Sequence, residues 1–79
     1  MTTLDIYIDG ASKGNPGPSG IGIIIMQDGS VIRQIARFIG PATNNIAEYT
    51  ALVHGLQEGL LLKADTVRIK SDSELLCRQ

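Results

Sequence analysis

Residues 45–62, NIAEYTALVHGLQEGLLL, decide how the rest of the chain is arranged. Ile46, Tyr49, Val53, Leu56 and Leu60 recur at three- and four-residue steps, the period of one helix face. Beside them runs a second row, Ala47, Ala51, Gly55 and Gly59, at a spacing of four. Glycine inside a helix costs roughly 1 kcal/mol against alanine. Two glycines in one row therefore predict that the helix packs closely on a sheet. KAD at 63–65 closes the helix, and TVRIKSD at 66–72 alternates as a strand does.

On the N-terminal side, LDIYID at 4–9 places Leu4, Ile6 and Ile8 on one face and Asp5, Tyr7 and Asp9 on the other, a short strand. GASKGNPGPSG at 10–20 holds four glycines and two prolines and reads as a loop. IGIIIM at 21–26 is a β-branched strand, QDGS at 27–30 a hairpin turn, and VIRQIARFI at 31–39 a third strand. GPAT at 40–43 breaks the pattern before the helix, and SELLCRQ at 73–79 opens a second helix. The order β-β-β-α-β-α predicts an α/β fold. Its mixed sheet comprises a three-stranded antiparallel meander, a right-handed crossover helix and a parallel fourth strand. The second helix has neither a C-cap glycine nor a closing strand. Residues 1–79 are therefore read as one partial domain, stopping before a fifth strand, with an open edge on the fourth through which copies could self-associate.

Composition narrows the class. A 43% hydrophobic, 19% charged chain is globular rather than disordered. A formal charge of −1 neither signals nor excludes nucleic acid. Cys77 is the sole cysteine and cannot form an intramolecular disulfide, which fits a reducing cytoplasm. MTTLDIYIDG lacks the basic start of a signal peptide, and the runs IIIM and LLL fall far short of the ~18 apolar residues that span a membrane. The expected location is cytoplasmic, with no membrane partner.

Asp9 ends the first strand and Asp72 the fourth. If those strands are parallel neighbours, both carboxylates lie at the carboxyl edge of the sheet, where open α/β folds place ligands. Glu48, about one turn into the helix, can lean over the same edge. Carboxylates gathered together repel and raise one another's pKa. A hard divalent cation, Mg²⁺ or Mn²⁺, relieves the repulsion and suits an all-oxygen donor set. Two such ions are the usual apparatus of phosphodiester hydrolysis. Each acid also has a purely structural alternative. Asn45-Ile-Ala-Glu48 and Ser71-Asp-Ser-Glu74 both fit the spacing of a capping box, and Asp9 can start an Asx turn. Other motifs drop out. GNPGPSG lacks the Lys-Ser/Thr of a phosphate-binding loop, and His54 has no second ligand at metal-binding spacing.

YIDGASKGNPGPSGIGIII, TNNIAEYTALVHGL and IKSDSELL, in this order and spacing, resemble type 1 ribonuclease H, above all its compact bacterial and archaeal forms. The resemblance covers essentially the whole chain. It implies a two-metal endonuclease that cuts the RNA strand of RNA–DNA hybrids using four carboxylates. Asp9, Glu48 and Asp72 match the first three, as catalytic residues and metal ligands, and the fourth would lie beyond Gln79. Asp9 would bridge both metals, Glu48 would hold one and position the RNA 2′-hydroxyl, and Asp72 would lie near the nucleophilic water. Gly10, Ala11, Ser12 and Asn15 would track the RNA strand. Thr43, Asn44 and Asn45 would meet the minor groove and the DNA phosphate. Glu74 stands where many members carry Gln. With three of the four acids, the 79-residue chain is expected to be inactive or weakly active. The alternatives are a non-catalytic remnant that binds nucleic acid or protein, and another nuclease or transferase of the same superfamily.

Overall fold

The computed structural model describes residues 2–71. It contains β1 (Thr3–Ser12), β2 (Gly17–Gln27), β3 (Ser30–Ala42), α1 (Asn44–Leu61) and β4 (Thr66–Ser71). The strands form one sheet in the order β3-β2-β1-β4. β1 and β3 both run antiparallel to β2, and β4 is parallel to β1. This is the mixed α/β sheet expected from the sequence: a meander, a crossover helix and a parallel fourth strand. The second helix expected at 73–79, and Asp72, lie outside the described residues.

Local chemistry sets the connections. Asp28 and Gly29 adopt positive φ values of 51° and 80°, so Gln27 pairs directly with Ser30. Asp-Gly supplies the backbone that a tight hairpin needs. The helix ends on Lys63, whose φ of 57° is left-handed. The Lys63 amide donates to the Leu60 carbonyl and the Ala64 amide to that of Gly59, closing a Schellman motif. A lysine in that conformation costs about 1 kcal/mol more than glycine would. Beyond it, the Asp65 and Thr66 amides both donate to the Thr2 carbonyl and bring the start of β4 against the start of β1.

The sheet supplies the bulk of the core. Leu4, Ile6 and Ile8 of β1 and Ile21, Ile23 and Ile25 of β2 are buried in one cluster against Ala51 of α1. Each such aliphatic side chain contributes about 1.5–3 kcal/mol when fully buried. α1 meets this face with its small row, since its buried residues are Ala47, Ala51, Gly55 and Gly59. A Cβ on Gly55 would sit 3.0 Å from Ile8 Cγ2, and one on Gly59 2.9 Å from Val67 Cγ2. The backbone of the helix is thus too close to the sheet for larger residues. The bulky stripe turns away, leaving Tyr49 68% and Leu60 79% exposed. No helix among the described residues is long and apolar enough to cross a membrane.

The expected loop at 10–20 is mostly strand. Gly10, Ala11 and Ser12 pair with Ile21, Gly20 and Ser19, which leaves residues 13–16 as the connection. β3 likewise continues through Gly40, Pro41 and Ala42, with a register shift opposite Ser19 and Gly20. The prolines cost little here. The Pro18 carbonyl accepts from the Lys13 amide at the mouth of the loop, where the ladder is already ending, so its missing N–H breaks no regular run. The helix spans 44–61 instead of 45–62, and its N-cap is Thr43.

Candidate functional site

The candidate site lies where the carboxyl end of β1 meets the first turns of α1. Alternation along β1 puts Ile8 and Gly10 on the helix side and Asp9 on the other. Gly10 is the contact point. A Cβ built there would lie 2.3 Å from the Ala47 carbonyl oxygen and 2.6 Å from the Glu48 amide nitrogen. Main chain therefore touches main chain, and the residue after Asp9 abuts the residue that carries the Glu48 carboxylate. One carboxylate oxygen of Asp9 is buried. Glu48 is exposed, on the second turn of the helix.

The capping-box alternative for Glu48 does not hold. Thr43 is the N-cap, and its Oγ1 accepts from the Ile46 amide at 3.2 Å. Asn45 is then already inside the helix, and Glu48 lies beyond the position from which a side chain reaches back to the cap. Threonine wins because its extended backbone (φ −86°, ψ 165°) follows directly from the end of β3.

Three of the residues expected to meet substrate are joined in one hydrogen-bond network. The Asn44 side-chain oxygen accepts from the Ser12 amide at 2.9 Å, and the Asn44 amide donates to Asn15 Oδ1 at 3.2 Å. Thr43 adjoins them as the helix cap, while Gly10 and Ala11 lead into Ser12 along β1. Asn45 is exposed on the first turn. Beside Asp9 opens a trough of about 640 Å³, lined also by Lys13, Gly20, Gly22, Arg37 and Phe38. Sequence reasoning did not single out this lining, nor the buried Ser19 discussed below. Ser19 shares the inward phase of Ile21, Ile23 and Ile25, a signal that shows only once β2 is extended back to Gly17.

The third acid, Asp72, lies outside the described residues. Ser71, just before it in sequence, is registered against Ile8, just before Asp9. Among the described residues no three His, Cys, Asp or Glu side chains are grouped to hold a metal. Three of the other described acids are engaged in structure, Asp65 by accepting from the Thr2 amide at 2.7 Å. Asp5 pairs with Arg68 at 2.8 Å, and Glu58 with Arg33 at 3.1 Å.

This sheet order with its crossover helix defines the ribonuclease H-like class of α/β folds. The chain belongs to the RNase H family, whose model matches residues 1–79. It is 40% identical over 74 residues to ribonuclease HI of Halobacterium salinarum, covering 92% of this chain and 37% of that protein. The crystal structure of RNase H1 from the same archaeon superposes with a TM-score of 0.85 at 39% identity, over 92% of this chain and 56% of that one. LC11-RNase H1, solved in complex with an RNA/DNA hybrid, superposes with a TM-score of 0.81 at 38% identity, over 96% and 59%. The chain thus spans between about a third and three-fifths of these relatives.

Proposed function

We propose that this chain carries the first three acids of an RNA–DNA hybrid endonuclease: Asp9, Glu48 and Asp72. The observation that carries the reading is the backbone contact of Gly10 with Ala47 and Glu48, which brings the main chain next to Asp9 against the main chain of Glu48. Family membership and a relative solved with an RNA/DNA hybrid support the substrate. The donor set is all oxygen and includes a partly buried carboxylate, which fits a hard divalent cation, Mg²⁺ or Mn²⁺. Bound by these acids, such ions would supply charge neutralisation and polarise the scissile phosphate.

The chain's own residues select the substrate. A hybrid differs from DNA by the 2′-hydroxyls along its minor groove, each a donor and an acceptor. The carboxamides of Asn15, Asn44 and Asn45 offer both functions. The backbone of Gly10, Ala11 and Ser12 follows the RNA strand, and Thr43 meets the DNA strand. We expect the protein to bind a hybrid more tightly than the matched DNA duplex. Asn45→Ala should weaken hybrid binding about 3- to 10-fold, the worth of one hydrogen bond. Arg33→Ala should leave the preference intact, because Arg33 is engaged with Glu58, more than two turns further along α1. Filter binding with both duplexes checks this, and equal affinity for hybrid and DNA would refute the substrate assignment.

β4 is an edge strand of the described sheet, with a mostly exposed pattern. Such an edge offers unpaired backbone groups to another chain. Self-association of the 79-residue chain through it is expected in sedimentation as a concentration-dependent dimer. A monomer at every concentration would withdraw it.

A further inference from the structure

We propose that Ser19 is a positioning residue for hybrid binding, an inference that rests on the substrate reading above. Ser19 is 3% exposed, the one buried polar side chain among the described residues. A hydroxyl in the inward phase of a strand costs free energy unless it is hydrogen-bonded. Its Oγ lies 2.8 Å from the Gly17 carbonyl and 3.1 Å from that of Ala42. Those two residues face one another across β2 and β3, and Ser19 itself faces Ser12 across β2 and β1. The Ser12 hydroxyl reaches the same Ala42 carbonyl at 2.8 Å.

The hub therefore joins the ends of three strands. Gly17 follows Asn15 by two residues, and Ala42 immediately precedes Thr43, Asn44 and Asn45. Both segments that carry the proposed hybrid contacts are anchored on one buried hydroxyl. Ser19 touches no substrate in this arrangement. It fixes the separation between the loop at 13–16 and the start of α1, across which the Asn44 amide meets Asn15 Oδ1.

The test compares the protein with Ser19→Ala and Ser19→Cys. Cysteine is close to serine in shape, with a larger sulfur, but is a poor donor. Hybrid dissociation constants and residue-resolved amide exchange are measured for each. Both variants are expected to raise the hybrid dissociation constant about tenfold and leave that for duplex DNA within about twofold. Exchange at the Ser12 and Asn44 amides should accelerate about tenfold, with Ile6 and Ile23 amides in the sheet centre unchanged. Unchanged exchange at Ser12 and Asn44 would overturn the assignment. So would equal acceleration everywhere or loss of fold, which would mark a general structural role, and so would a cysteine variant that behaves like serine. If the unsubstituted protein shows no preference for hybrid, the substrate reading fails, and the exchange results alone decide whether Ser19 holds the two segments.

Discussion

Asp9→Asn, in the protein that carries this chain, should lower hydrolysis of an RNA–DNA hybrid by about 10²–10³-fold, the scale of losing one group that stabilises transition-state charge. The substitution removes a negative charge at nearly constant shape, so β1 should pair as before. Hybrid affinity should move much less than the rate, because the proposed hybrid contacts come from Asn15, Asn44, Asn45 and the loop backbone instead. Single-turnover cleavage and equilibrium binding on the same preparation separate the two effects. Glu48→Gln is the companion variant. Glu48 is exposed, so its loss should leave stability within about 0.5 kcal/mol while cleavage falls. A cleavage loss below threefold for both variants would remove these acids from the reaction.

Gly10→Ala should severely destabilise the fold. The added methyl carbon would lie 2.3 Å from a backbone oxygen and 2.4 Å from its carbonyl carbon, atoms that cannot rotate away. The helix must shift or the strand must bend, and forced overpacking costs about 1–3 kcal/mol or more. A domain of this size has roughly 5–10 kcal/mol in total. At about 4–8 °C per kcal/mol, the midpoint of thermal unfolding should drop by about 10 °C or more. Gly22→Ala is the control, because a Cβ there meets nothing within 4 Å. It should change the midpoint by only a few degrees, at about 0.5–1 kcal/mol for a strand glycine. Equal shifts for the two variants would show that the Gly10 contact is not what holds α1 against β1.

The architecture was legible because it rests on periodicity. The period-two faces of Leu4-Ile6-Ile8 and Ile21-Ile23-Ile25, and the spacing-of-four row of Ala47, Ala51, Gly55 and Gly59, mark which surfaces meet. The strand limits were not legible. Gly10 to Ser12, Gly17 to Gly20 and Gly40 to Ala42 are turn-forming by composition, yet neighbouring strands supply their partners, a tertiary effect that local propensity does not contain. The capping residue was not legible for a related reason. Asn45 and Thr43 are both good caps, and only the path of the chain out of β3 decides between them. Asp9 and Glu48 could each be picked out as acids near one sheet edge. What the sequence does not show is the close approach of Gly10 to the helix backbone at Ala47 and Glu48, which appears only when the helix lies on that glycine. Ser19 stayed hidden because its strand was read as loop.

The pairing of β1 with β4 also has a meaning in time. Ser12 meets Ser19 after 7 residues of chain, whereas Thr3 meets Thr66 after 63. Closing the longer loop costs about 2 kcal/mol more in chain entropy, from the logarithm of that ninefold ratio. The meander of β1, β2 and β3 can therefore assemble early, through contacts close in sequence, while β4 must wait for α1 to bring it across. Until that docking, β1 is itself an edge strand. Asp9 thus rides on a strand with only one neighbour until β4 docks, whereas the trough beside it, lined by residues of the meander, can form without β4.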